Sequence, residues 1–199
     1  MTGIDWQAER LEESALILTE LLDTNLRSAY ERGRIEHSSK LCIFRDIACG
    51  LNYLHQHHEP IIHRDVSATK VLLEALPNYQ WRAKIGGFGS ASLAKLADTL
   101  AEGAIIYSAP ETLPPSFHGS NALPPPQTTK IDVYSYGILL CEVITNQFPV
   151  KEDYQGMLHQ IQRQWPFMHT LIQSCTKRRP EERLTMADVL NELSRIVRQ

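Results

Sequence analysis

One stretch of the sequence, DVYSYGILLCEVIT at residues 132–145, is apolar over most of the surface of the helix that its pattern predicts. A helix that is apolar on most sides has to be buried by the rest of the chain, because water solvates only a polar face well. The stretch therefore predicts a central helix around which other elements pack.

Two more helices are predicted from periodicity. Residues 38–56 carry Leu41, Phe44, Ile47, Leu51 and Leu54 at three- and four-residue steps, and Ser38 or Ser39 is expected to cap the helix start. Residues 185–198 repeat the pattern, and Thr185 with Asp188 three positions later forms an N-terminal cap sequence. The chain is therefore expected to be mainly helical.

Short strand signals gather in the first half of the chain. The segments PIIHRDV, KVLLEAL and WRAKIG predict small strands that pair around a loop, and the apolar run at 14–22 is a further strand candidate. Residues 112–128 hold five of the eleven prolines and predict an extended loop; the alternative for its LPPP run is a ligand for an aromatic groove. The expected fold class is mainly α, of the α+β type, with a small strand cluster.

Composition excludes several classes of protein. The 199 residues carry a formal net charge of −3, which gives no electrostatic reason to expect binding to nucleic acid or to an acidic membrane. The four cysteines form no Cys-x-x-Cys pair, and the longest apolar runs are too short to span a bilayer. With no signal peptide indicated, we expect a cytoplasmic chain without disulfides. A metal site at His55, His57 and His58 is the less favoured alternative to histidines that favour the dipole of a helix end.

Four stretches, in order along the chain, carry a resemblance. They are IIHRDVSATKVLL at 61–73, KIGGFGSA at 84–91, YSAPE at 107–111 and KIDVYSYGILLCEV at 130–143. They resemble the catalytic loop, the Asp-Phe-Gly segment, the Ala-Pro-Glu segment and the following helix of protein kinases. The variant details are closest to the tyrosine-kinase-like branch, although they do not identify the substrate class.

The resemblance implies a partial kinase domain over residues 1–199. It places the hinge at about 17–24, the catalytic loop at 63–70, the activation segment at 87–111 and a Pro-rich insertion at 112–128. The glycine-rich loop, the phosphate-binding lysine and its helix glutamate have no counterpart, so we expect the C-lobe with the N-lobe essentially absent. Nucleotide-site positions by this resemblance are Thr19 (gatekeeper), Glu20, Leu22, Lys70 and Leu72 (pocket floor).

The catalytic positions depart from the family pattern. Asp65 matches the residue that accepts the substrate hydroxyl proton, and the alternative is that it only braces its loop. Lys70 stands where the family has a magnesium-binding asparagine, and Gly87 stands where it has the metal-binding aspartate. A charged lysine has no lone pair and glycine has no side chain, so no metal site is expected. No cofactor is assigned; any ATP is expected to bind weakly and without metal.

Positions with a structural role in the family are retained. The resemblance implies that His63 and Phe88 stack, that Asp132 binds the backbone of the catalytic loop, and that Glu111 and Arg183 form a buried ion pair. Arg64 and Gly89 complete the two short motifs.

The favoured hypothesis is a catalytically impaired kinase-like domain that acts as a signalling or regulatory binding module with a protein partner. Self-association is an additional expectation, because an apolar upper face would lack its cover. The alternatives are an ATP-dependent protein kinase whose N-lobe is supplied elsewhere, and a degenerate domain with no role of its own.

Overall fold

The computed structural model describes residues 19–93, 105–113, 126–150 and 152–196. Its helices are α1 (Leu26–Glu31), α2 (His37–His55), α3 (Lys130–Thr145), α4 (Tyr154–Gln164), α5 (Pro166–Cys175) and α6 (Met186–Ile196). Its strands are β1 (Thr24–Asn25), β2 (Ile61–Ile62), β3 (Val71–Leu76), β4 (Gln80–Ile85) and β5 (Ser92–Leu93). The mainly helical fold class with a small strand cluster is confirmed.

Helix α3 lies at the centre of the described fold, as its sequence predicted. Every residue of α3 except Lys130 and Tyr134 is buried. Helices α2, α4 and α5 pack against it, and α6 closes the core against α2. Gly137 lets α5 approach closely, since a Cβ at this position would lie 2.9 Å from the Cβ of Cys175.

The strands form two small antiparallel sheets. The first has the order β1-β3-β4, in which β3 and β4 make a hairpin that pairs Leu72 with Lys84. The second pairs β2 with β5, so that Ile61 lies opposite Leu93. The hairpin packs on α2, where the backbone N–H of Ala83 donates to Asp46 at 3.0 Å. The predicted pairing of KVLLEAL with WRAKIG is thereby confirmed.

The ends of two predicted helices can be compared with the structure. Helix α2 begins at His37, and its N-cap residue Glu36 makes no side-chain capping bond. The prediction that Ser38 or Ser39 caps it was wrong, because both serines already lie in the first helical turn. The cap of α6 is confirmed: Thr185 N–H donates to the carboxylate of Asp188 at 2.9 Å, and Asp188 N–H donates to the Thr185 hydroxyl at 3.2 Å.

Other predictions fall partly outside the described residues. Of the strand candidate at 14–22, only residues 19–22 are described, and they form no strand. Residues 94–104 of the expected activation segment and 114–125 of the Pro-rich insertion also lie outside the description. Among the described residues, no helix combines the length and apolar character needed to cross a membrane.

Candidate functional site

The loop at 63–70 joins β2 to β3 and is fastened to the start of α3 by Asp132. The buried Asp132 carboxylate accepts hydrogen bonds from the backbone N–H groups of His63 and Arg64, each at 2.8 Å. His55, at the end of α2, donates Nε2–H to the same carboxylate at 2.8 Å. These bonds hold Arg64 in a left-handed conformation with φ of 68°. Burial lowers the pKa of Arg64, and the charge of Asp132 acts in the opposite direction.

His63 connects this loop to the glycine-rich turn after β4. The backbone N–H of Asp65 points at His63 Nδ1 at 3.3 Å, so Nδ1 accepts and Nε2 carries the proton. Nε2 then donates to the carbonyl oxygen of Gly86 at 3.0 Å. The ring of Phe88 meets the His63 ring edge-on, with centroids 5.0 Å apart. The two segments are therefore held together by the imidazole of one buried histidine.

Asp65, Lys70 and Gly87 come together at the open side of these segments. The ammonium Nζ of Lys70 lies 3.3 Å from Oδ2 of Asp65, and their side chains are 41% and 15% exposed. Gly87 adopts the left-handed conformation, with φ of 81°, and the Lys70 side chain passes directly over it. A Cβ at position 87 would lie only 2.6 Å from Cδ of Lys70.

This group does not fit the magnesium ion of the family. Magnesium prefers hard oxygen ligands held in octahedral geometry. Lys70 offers three donors and no lone pair, Gly87 offers no side chain, and the carboxylate of Asp65 is already paired with an ammonium. In the part of the chain that the structure describes, no three His, Cys, Asp or Glu side chains cluster in a way that would hold a metal.

Four of the expected nucleotide positions lie on the central strand of the three-stranded sheet or just before its first strand in the chain. Leu72 on β3 is half-buried, and its Cδ1 packs 3.1 Å from the place where a Cβ of Gly86 would lie. Thr19 and Glu20 are exposed, and Leu22 is half-buried. The carboxylate of Glu20 pairs at 2.8 Å with Lys84, the residue on β4 that lies opposite Leu72.

Glu111 and Arg183 form a buried ion pair apart from these residues. Their two parallel bonds measure 2.6 Å and 2.7 Å, and the side chains are 4% and 0% exposed. The guanidinium also donates to the carbonyl oxygens of Lys177 and Lys130 and lies over the Tyr134 ring. Gly89, the other residue of the Phe-Gly pair, is exposed, and a Cβ at this position would contact nothing within 4 Å.

Sequence reasoning missed a third buried acid, Glu142 in the middle of α3. Its carboxylate accepts from Arg27 Nε at 3.0 Å, from the Tyr30 hydroxyl at 2.7 Å, and from the Tyr107 hydroxyl. Burial, reinforced by Glu142, raises the pKa of Tyr107 far above its ordinary value. The sequence does carry a signal for it, because Glu142 is the single charged residue in the apolar run GILLCEVI. A carboxylate buried in such a helix needs polar partners from other elements.

Comparison with known proteins agrees with the motifs and the fold. The protein kinase domain family matches residues 5–193 of the chain. A probable serine/threonine-protein kinase of Dictyostelium discoideum is 29% identical over 206 residues, covering 95% of this chain and 18% of that protein.

Two Arabidopsis thaliana proteins are similar as well. Receptor protein-tyrosine kinase CEPR1 is 31% identical over 94% of this chain and 19% of its own length. Calmodulin-binding receptor-like cytoplasmic kinase 1 is 33% identical over 72% of this chain and 30% of its own length. The chain thus spans less than a third of each of these relatives. Because the protein kinase domain family matches nearly the whole length of this chain, the chain belongs to the protein kinase family.

Proposed function

We propose that this chain is a protein-kinase-like domain that has lost metal-dependent phosphate transfer and acts as a binding module in signalling. The observation that carries the proposal is that the stem of Lys70 covers the bare backbone of Gly87 while its Nζ contacts Asp65 Oδ2 at 3.3 Å. Of the two positions that bind magnesium in this family, one therefore carries the positive charge of Lys70 and the other, Gly87, has no side chain.

Electrostatics favours the same conclusion. Two unit charges about 4 Å apart interact by about 4 kcal/mol at an effective dielectric constant of about 20, so a divalent cation beside Lys70 would be repelled by about 8 kcal/mol. Solvent reduces this figure, because the Lys70 side chain is 41% exposed. By the same arithmetic the single carboxylate of Asp65 would at best cancel this repulsion, so the Lys70–Asp65 pair offers a divalent cation no net attraction.

The scaffold around the lost chemistry supports a binding role. The Asp132 bonds to the loop at 63–70, the edge-on contact of His63 with Phe88 and the buried Glu111–Arg183 pair are all present. Asp65 is retained, which favours the alternative of a protein kinase completed by an N-lobe from elsewhere. We rank that alternative second because Asp65 is paired with Lys70 and neither Lys70 nor Gly87 offers a ligand for a metal.

Phosphate transfer to a generic protein substrate, measured with radiolabelled ATP and either Mg²⁺ or Mn²⁺, tests the loss of activity. We expect no transfer above the level of the Asp65→Asn variant. The double variant Lys70→Asn with Gly87→Asp should also be inactive without the phosphate-binding lysine of an N-lobe. Transfer that Asp65→Asn and metal chelation both abolish would establish the enzymatic alternative instead.

The binding role requires a surface for a partner, and we propose the upper face around Leu22, Leu72 and Phe88. Ile85, expected on the same face, lies on the opposite side of the hairpin, because it pairs with the buried Val71 and packs on Gly50 of α2. Phe88 is 50% exposed, and Leu21 next to this face is 99% exposed. Exposed apolar area of this kind is typical of protein interaction sites, so we expect another protein chain to cover it. We place this association in the cytoplasm, which suits the four free cysteines.

Light scattering over a concentration series tests the upper face. We expect the isolated chain to self-associate when no partner is present, and Leu72→Ser with Phe88→Ser to reduce that association. A clean monomer at high concentration that binds no dye for apolar surfaces would contradict the proposed face.

A further inference from the structure

We infer that the groove between α5 and α6 is a contact surface between two copies of this chain, which pair there about a two-fold axis. This inference goes beyond the proposed binding module, because the residues that line the groove belong neither to the upper face nor to the loop at 63–70.

The groove has a volume of about 480 Å³ and lies between one face of each helix. On α5, Phe167, Leu171 and Ser174 follow one another at steps of four and three residues, which puts them on the same side of the helix. Leu184, just before α6, fixes one end of the groove, where its N–H donates to the carbonyl oxygen of Ser174 at 3.4 Å. Phe167 in the first turn of α5 and Ile196 in the last turn of α6 complete the lining.

The groove presents an aromatic ring that the chain itself leaves uncovered. Phe167 is 55% exposed, whereas Leu171 on the same side of α5 is buried and forms the floor of the groove. Ile196 is half-buried at the rim. Burial of an aromatic side chain removes a large apolar area from water, so a second surface that covers Phe167 is favoured.

The charges on the rim identify what covers it. Glu192 and Arg195 line the groove and form an ion pair along α6, with side chains 44% and 73% exposed. When two α6 helices meet antiparallel about an axis between these positions, Glu192 of each copy lies opposite Arg195 of the other. The formal net charge of −3 per copy adds little repulsion. A second copy of the chain therefore matches both the apolar and the charged parts of the groove.

The size of the surface predicts a weak and reversible dimer. Helix α5 has 10 residues and α6 has 11, so each helix is about 15 Å long. Two short helices offer less than the area of about 800 Å² per partner that is typical of a stable interface. We expect a Kd of about 10–100 µM, so that the dimer forms when the chain is concentrated.

Sedimentation velocity of the full chain over a concentration series tests the inference. We expect a reversible monomer–dimer equilibrium in the parent and at least about 10-fold weaker dimerisation in Phe167→Ser. Phe148→Ser is the matched control, because it removes a ring of similar exposure, 46%, that does not line the groove. Leu72→Ser with Phe88→Ser should also leave this dimer in place, which separates it from association through the upper face.

Charge reversal provides the sharper test, because it predicts a rescue. Glu192→Arg and Arg195→Glu each give the rim charges of one sign, so each variant alone should stay monomeric. An equimolar mixture of the two variants should restore dimers, because a positive rim then meets a negative one. Both changes are at exposed side chains, and an unchanged Tm in dilute solution verifies that each variant is folded.

Three results would overturn the inference. They are a parent that stays monomeric throughout the series, Phe167→Ser that associates like the parent, and a mixture of the charge variants that associates no more than either variant alone. A monomeric parent would assign the groove to a helix from a different protein instead.

Discussion

Arg27 on α1 and Glu142 in the middle of α3 form an ion pair, with guanidinium Nε 3.0 Å from the carboxylate. Glu142 is fully buried and also accepts from two tyrosine hydroxyls, whereas Arg27 reaches solvent with 24% of its side chain. The pair joins the short helix α1 to the centre of the core.

We expect Glu142→Ala to lower the free energy of unfolding by about 3–5 kcal/mol, because it removes the buried acceptor that Arg27, Tyr30 and Tyr107 share. Urea denaturation followed by circular dichroism measures this. Arg195→Ala, which breaks an exposed pair with Glu192, is the control and should cost less than about 1 kcal/mol. Equal losses in the two variants would show that Glu142 is not buried in solution.

The second prediction concerns the Glu111–Arg183 pair. Glu111→Ala or Arg183→Ala should each destabilise the domain by about 3–5 kcal/mol, since either change leaves a buried charge without its partner. Arg179→Ala, at an exposed pair four residues earlier, is the comparison. Should both core variants melt within about a degree of the parent, the buried geometry of this pair would be wrong.

The third prediction is that positions 70 and 87 are energetically coupled. Gly87→Ala should cost about 1–2 kcal/mol from the left-handed backbone alone, and more from the 2.6 Å approach to Lys70. In a Lys70→Ala background the second contribution is removed, so the same change should cost about 0.5–1 kcal/mol less. Gly89→Ala, which meets no atom within 4 Å, is the control. Strict additivity in the four-protein cycle would refute the contact.

The fourth prediction is a pH dependence at the start of α6. Hydrogen bonds from the Thr185 hydroxyl and N–H lower the pKa of Asp188 below its ordinary value of 3.8. A carboxyl with a lowered pKa stabilises the fold above the unfolded-state pKa and loses this contribution as the pH falls through the folded-state value. Asp188→Asn should therefore be less stable than the parent by about 0.5–1 kcal/mol at pH 7.

The difference between the parent and Asp188→Asn should shrink as the pH falls below about 4. Thermal melts at a series of pH values measure it. Repeating the pair of melts in a Thr185→Ala background provides the control, because removal of the hydroxyl donor should reduce the difference at pH 7. A gap that stays constant from pH 7 to pH 2 would argue against the charged cap.

Much of the fold was predictable because its elements carry strong local patterns. Helices α2 and α3 are long and periodic, and the β3–β4 hairpin lies between recognisable motifs. Helix α1 was not predicted, since six residues are too few for a periodic signal, and α4 is polar apart from Met157, Leu158 and Ile161. These helices form because the core around α3 provides a surface for their few apolar side chains.

The candidate site was predictable in its residue types and unpredictable in its contacts. The replacement of an asparagine by Lys70 and of an aspartate by Gly87 is visible in sequence. The packing of the Lys70 stem over Gly87 depends on the φ of 81° at Gly87 and on the conformation of the lysine side chain. No sequence pattern encodes either of these. The role of His55 as a third donor to Asp132 is likewise a property of distance alone.

The bonds from Asp132 to the loop at 63–70 have a consequence for amide hydrogen exchange. Surface loops normally exchange their amide protons through small local openings. The N–H groups of His63 and Arg64, however, end on a carboxylate belonging to the most enclosed helix of the domain. Their protons can be released only when the loop separates from that helix, so two amides outside any helix or strand should exchange on the slow timescale of the core itself.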